Sequence, residues 1–273
     1  MTTPTMFDRR AVVLAAAALA AAPGCGNSHG LFPADASAAP DMGGAAMTMT
    51  TTTTTTTINC GDPNQPIDPT ALIDDMEDGN FQAAMVGGRS GSWWAGGDTT
   101  PGASMQPDGN APPELIPGGR CGSRYAMHVT GTGFNDWGAM VTVSFGFGAN
   151  AAGVQGLLPY DAHTRTGITF WARIGDTSTN QIRFAVSDEH ARPEAGICVV
   201  NGTIGQECYD TFGVDFTQLA TEWHQYRIPF AGLSQRNFGV QAPTVDTTQL
   251  YDIEFTFYAG RIFDFWVDDI YFY

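Results

Sequence analysis

Lysine is absent from this chain. All 12 basic residues are arginine, against 28 aspartates and glutamates, and the formal net charge is −16. That balance argues against a nucleic-acid partner, because phosphate backbones are held by basic surfaces. It suits calcium, an uncharged ligand or plain solubility. Long hydrophobic runs are scarce too; the one from Ala11 to Ala22 is too short to span a bilayer comfortably. No Cys-x-x-Cys pair occurs and the five histidines are scattered, which makes a zinc site a poor reading. There is no Gly-x-Ser-x-Gly elbow, and Gly131 and Gly133 lack the third glycine and the following helix of a dinucleotide loop. Amphipathic patterns long enough for a helix of three turns are missing. What remains, 33 glycines and 11% aromatic residues, describes short strands joined by turns.

The amino-terminal segment reads as a targeting signal. Arg9-Arg10 supplies a positive region, Ala11 to Ala22 an apolar one, and Ala22-Pro23-Gly24-Cys25 resembles a bacterial lipobox. The expectation is a lipoprotein signal over residues 1–25, with Cys25 lipidated as the first mature residue. Ala22 and Pro23 depart from the usual lipobox, so ordinary secretion is the alternative, and the arginine pair admits twin-arginine as well as general export. Residues 26–66 are rich in Ala, Gly and Thr, with an unbroken run from Thr50 to Thr57, and read as a disordered linker. The expected location is the cell envelope, as an outer-membrane or cell-surface lipoprotein. The expected state is a monomer that meets the membrane only through its lipid. Cys60, Cys121, Cys198 and Cys208 suggest two disulfides in an exported chain. Asn201-Gly202 can turn a short hairpin between Cys198 and Cys208, and Cys60 with Cys121 then follows.

Residues 67–273 carry period-two alternation. Thr166 to Arg173 places Ile168, Phe170 and Ala172 on one face and Thr169, Trp171 and Arg173 on the other. Gln181 to Ser187 sets Ile182, Phe184 and Val186 against Arg183, Ala185 and Ser187. Similar segments run through Arg124–Thr130, Ala139–Phe145, Trp223–Phe230, Leu250–Tyr258 and Ile262–Phe272, separated by Gly-, Pro- and Asn-rich loops. The fold class is all-β: a jelly-roll β-sandwich. In the last strand Phe265 and Val267 share one parity and Ile270 and Phe272 the other. Either both faces are buried there, or a bulge sits at Asp268-Asp269.

Three segments, Ile73-Asp74-Asp75-Met76-Glu77-Asp78-Gly79, Gly167-Ile168-Thr169-Phe170-Trp171-Ala172-Arg173 and Phe263-Asp264-Phe265-Trp266-Val267-Asp268-Asp269-Ile270, resemble the family 11 carbohydrate-binding modules of the galactose-binding-domain-like superfamily. The resemblance implies a jelly roll with a structural calcium between first and last strands, which maps onto Glu77 and Asp268, with Asp98 as a loop contributor. Calcium takes hard oxygen ligands, which these acids supply. It further implies a polysaccharide ligand such as a β-glucan, bound without catalysis. A sugar site needs aromatic plates and planar polar groups. Trp171, Arg173 and Arg183 share the non-core parity on two strands expected to be neighbours; Trp266 extends that face and Tyr160 lines its rim. Trp93, Trp94 and Trp137 sit beside glycines, as loop aromatics do. The alternatives are an interaction lipoprotein of the same fold without a sugar site, and, further off, a glycan-active enzyme. For the last, Asp188 and Glu189 are adjacent and would diverge, so no pair of converging carboxylates is identifiable.

Overall fold

A computed structural model describes residues 68–273. The signal segment, the linker, Cys25 and Cys60 lie outside the described residues. In chain order the strands are β1 (Leu72–Asp74), β2 (Trp93–Gly97), β3 (Ser104–Gln106), β4 (Gly109–Asn110), β5 (Glu114–Arg120), β6 (Ser123–Thr132), β7 (Ala139–Ser144) and β8 (Phe147–Ala149). They continue with β9 (Gln155–Leu157), β10 (Gly167–Ile174), β11 (Ile182–Ser187), β12 (Phe212–Phe216), β13 (His224–Pro229), β14 (Asp252–Phe257) and β15 (Phe263–Phe272).

Two antiparallel sheets face each other. The seven-stranded sheet runs β13-β10-β15-β6-β3, with β1 on β15 and β5 on β6; the six-stranded sheet runs β12-β11-β14-β7-β2-β4. From β6 to β15 the chain repeatedly crosses from one sheet to the other, so the expected sandwich of jelly-roll type is what forms. Alternation explains the core. Ile168, Phe170 and Ala172 of β10 meet Ile182, Phe184 and Val186 of β11 and Ile253, Phe255 and Phe257 of β14, all buried. Phe170 stands 5.3 Å from Phe184 and 5.1 Å, edge-on, from Phe255. Such aromatic pairs add to simple burial.

The expected neighbourhood of the Trp171 and Arg183 strands is corrected here. β10 pairs with β13 and β15, whereas β11 pairs with β12 and β14. Residues 175–181 carry the chain across the sandwich between them, so the outward side chains of the two strands point to opposite sides of the molecule. Alternation states which face a residue occupies and nothing about which sheet its strand joins.

The parity break in β15 is a bulge. Thr169 lies opposite Tyr271 and Trp171 opposite Asp268, so Phe170 alone faces Asp269 and Ile270. Asp269 adopts φ +48°, a left-handed conformation that aspartate tolerates. The extra residue returns Ile270 and Phe272 to the core. β1 pairs with this strand, Leu72 opposite Tyr271 and Asp74 opposite Ile270, as the opening segment implied.

The Cys198–Cys208 disulfide forms, with Cα atoms 5.0 Å apart. Its loop is not an antiparallel hairpin: Val199 and Glu207 bridge in parallel, and Asn201 takes φ +57°. Cys121 is also disulfide-bonded.

Candidate functional site

On the outer face of the seven-stranded sheet, Trp171, Arg173 and Trp266 come together, but as a filled stack. Arg120 lies 4.9 Å from the Trp171 ring and 5.4 Å from Trp223; Arg173 lies 5.5 Å from Trp223 and 4.9 Å from Trp266. Trp266 then stacks on His128 at 3.7 Å and 10°. Indoles and guanidiniums alternate, each cation lying over ring faces. Ile116 from β5 packs over the same indoles, and Trp171 and Trp266 retain only 6% exposure each. Their faces are taken up by protein. Burial lowers the pKa of Arg173, with Asp264 and Asp176 opposing.

The other two expected sugar contacts are also occupied. Arg183 is buried on the opposite face, where it donates to the Ser234 carbonyl at 2.6 Å and the Thr211 carbonyl at 3.3 Å and pairs with Asp215 at 3.3 Å. It pins two loops to β11. Tyr160 packs against Phe145 and Phe272 at 5.8 and 5.7 Å, with Arg89 over its ring.

Glu77 and Asp268 do meet: the Ser123 hydroxyl lies within hydrogen-bond distance of both, at 3.2 and 2.8 Å. The positive charge beside them belongs to Arg120, whose Nε and Nη2 donate to Asp268 Oδ2 at 3.1 and 2.8 Å; Nη2 also pairs with Asp269. Glu77 Oε1 accepts from the backbone amides of Arg124 and Tyr125 at 2.7 and 2.9 Å. Burial opposes ionisation of Glu77, but those amides with Arg124 and Ser123 hold its pKa below the ordinary value. Burial, then the charge of Asp269, pushes Asp268 up to about 6 despite Arg120. Asp98 spends its oxygens on the amides of Thr100, Asp136 and Gly138, at 2.8–3.0 Å, which clasp the loop before β7. A calcium ion needs six to eight oxygens with free lone pairs. Glu77 Oε1 already accepts from two backbone amides and Asp268 Oδ2 from two guanidinium N–H groups, with the Ser123 proton between them, so this donor set does not fit the ion. Among the described residues no cluster of three or more His, Cys, Asp or Glu side chains is placed to hold a metal.

The outer face of the six-stranded sheet is different. Trp93 and Trp94 are adjacent on β2, so one must point in and the other out. Trp93 is fully buried and donates Nε1 to Asp74 at 2.7 Å. The Trp94 indole lies over Gly96 on the outside; a Cβ there would come within 2.0 Å of its ring. Only glycine lets the half-buried ring approach the strand this closely. Register places Trp94 beside Thr142, and Thr142 beside Glu254; the next row is Met140, Thr256, Arg183 and Asp215. At its far end Asp215 pairs with Arg236 at 3.1 Å, and Tyr258 contacts both. Tyr258 is pushed up to about 12, first by burial and then by Asp215. Asp215 and Arg236 keep 51% and 43% of their side chains exposed. Behind this row Arg192 binds Asp252 and Glu254 and is held charged by them against the cost of burial.

Trp94 was singled out from the sequence only as a loop aromatic; Thr142, Thr256, Tyr258, Asp215 and Arg236 were not singled out at all. The parity of Asp252 to Tyr258, polar against Ile253, Phe255 and Phe257, carried that signal.

No protein-family model and no curated protein matches the chain. Solved structures do. The chain is similar to a family 11 carbohydrate-binding module from Clostridium thermocellum in complex with a β-1,3-1,4-mixed-linked tetrasaccharide, at 19% identity and a TM-score of 0.43 over 66% of this chain and 87% of that one. It is similar to the family 30 carbohydrate-binding module of the cellulosomal cellulase Cel9D-Cel44B of the same organism, at 12% identity and 0.45 over 66% and 90%. An adhesin domain of Lys-gingipain from Porphyromonas gingivalis W83 is similar at 11% and 0.36 over 66% and 89%.

Proposed function

We propose that residues 68–273 form a non-catalytic polysaccharide-binding domain and that the glycan lies across the outer face of the six-stranded sheet. The observation that carries this reading is the Trp94 plate over Gly96, in line with the Asp215–Arg236–Tyr258 cluster. An indole face takes the C–H face of a sugar ring, and planar charged groups take its hydroxyls. From β2 to β12 the row spans about 19 Å, at ~4.8 Å per strand, room for an extended chain and more than one ring requires. Net charge −16 favours an uncharged glycan such as a β-glucan over an acidic one. A glycosidase of the usual kind would need two free carboxylates. Asp252 and Glu254 share the face, but both are bound to Arg192. The signal-like sequence ending at Cys25 supports the proposal of a lipid-anchored domain held at the cell envelope by residues 26–66, and the domain is proposed to act as a monomer.

A second reading, an interaction lipoprotein without a sugar site, is favoured by one observation. The disulfide loop exposes Ile197, Val199 and Ile204, the last at 72%.

Affinity electrophoresis of the full chain in gels of mixed-linkage β-glucan, xylan and galactan separates the two. Retardation by at least one polysaccharide is expected, and Trp94→Ala should weaken it about 10-fold or more, as loss of a stacking anchor does. Trp171→Ala should leave retention intact while lowering the melting temperature. No retardation in any gel overturns the sugar reading in favour of the second.

A further inference from the structure

We infer that the seven-stranded sheet carries a separate, smaller ligand site on its outer face, built for a single polyhydroxylated ring. It uses none of the residues of the face proposed above. Gln106, Thr130 and Asp264 lie directly opposite one another across β3, β6 and β15, and Ser104 and Thr132 form the next row. With Thr177 from the loop after β10 they border a recess of about 320 Å³. That is the low end of the ~300–1,000 Å³ range of small-molecule sites, room for one ring in a recess open to solvent on one side.

The polar lining is mostly exposed and open to a ligand. The side chains of Ser104, Gln106, Thr130, Thr132 and Thr177 make no hydrogen bond to any described residue. Asp264 contacts His128 Nε2 through Oδ1 at 2.8 Å. Its Oδ2 packs against Gly175, where a Cβ would stand 2.1 Å from that oxygen, so glycine lets the carboxylate lie there. Ile262, 56% exposed, supplies one apolar wall.

This chemistry selects the ligand class. Hydroxyls and an amide both donate and accept, as does a polyol. One carboxylate is too few for a calcium ion. No arginine lines the recess, so an anion has no counter-charge. The apolar wall meets the C–H side of a ring. The recess and the Trp94 row lie on opposite outer faces.

The test is an amide-shift NMR titration of the ¹⁵N-labelled full chain with D-glucose, D-galactose and D-mannose in turn. At least one sugar should produce saturable shifts at Gln106, Thr130, Thr132 and Thr177, with a dissociation constant in the millimolar range expected of one ring. The double variant Gln106→Ala/Thr130→Val should abolish them. Valine is isosteric and favours strands, so the fold is kept. Trp94→Ala, which removes polysaccharide retention on the other face, should leave these shifts unchanged, so the two sites fail separately. The inference is overturned if no sugar produces saturable shifts there, or if the shifts survive in the double variant.

Discussion

Arg120→Ala should lower the melting temperature by about 6–20 °C, the largest loss expected of any single change to this domain. The side chain is 2% exposed and its partner Asp268 is fully buried. Removing the guanidinium leaves a desolvated carboxylate without a counter-charge and opens the gap between the Trp171 and Trp223 rings. Breaking one side of such a pair costs about 3–5 kcal/mol, because the remaining charge has no water to turn to. The deficit should shrink on acidification. Asp268, already pushed up to about 6 by burial and by Asp269, then takes a proton and needs no partner. Arg120→Lys should recover part of the loss, since ammonium restores charge but not the fork that reaches both Asp268 and Asp269. In the unaltered protein the guanidinium supplies what an ion would, so melting in EDTA should match melting in excess calcium. A lower melting temperature in EDTA would overturn this account of Glu77 and Asp268.

Trp93→Phe should cost about 3 kcal/mol, or roughly 6–12 °C. The indole is fully buried, and its Nε1 donates to Asp74 Oδ2 at 2.7 Å while the Met76 amide serves Oδ1 at 3.0 Å. Phenylalanine removes volume and one of these donors together. The same site sets a pH dependence. Burial pushes Asp74 up to about 7, with the Met76 and Trp93 hydrogen bonds opposing, and Asp268 up to about 6. Both folded values lie above the unfolded value of 3.8. Between those values the native state holds protons that the unfolded chain releases, so stability is greatest below the window and is lost as pH rises through about 6 to 7. Glu77 and Asp98 act oppositely: their pKa values are lowered in the fold, and their contribution disappears as pH falls through the ordinary carboxylate range. Thermal melts should therefore give a higher melting temperature at about pH 5 than at about pH 8. The Trp93→Phe protein, having lost a hydrogen bond to the ionised form of Asp74, should show the steeper slope. A melting temperature that rises from the acidic to the alkaline value would contradict the assignment.

Strand positions and their inward residues were legible from Thr166 to Arg173, Gln181 to Ser187 and Ile262 to Phe272, because burial of one face imposes a period of two. The resemblance brought Glu77 to Asp268, and the parity break offered a bulge at Asp268-Asp269 as one of two readings, the one that forms. The sheet partners of β10 and β11 were not. Both strands have the same pattern, and a short connection reads alike whether it turns within a sheet or crosses the sandwich. The cation beside Asp268 was also hidden, because Arg120 comes from a strand 148 residues earlier in the chain.

By itself, then, the sequence determined an acidic, lysine-free all-β domain, its inward face and its closing carboxylates, since charge and alternation are local properties. Tertiary structure alone decided which outward aromatics are available to a ligand. β5 lays Ile116 and Arg120 over Trp171 and Trp223, while the half-buried Trp94 ring lies over Gly96 on the other sheet. Exposure is set by what packs from elsewhere in the chain, and no pattern within a strand records it.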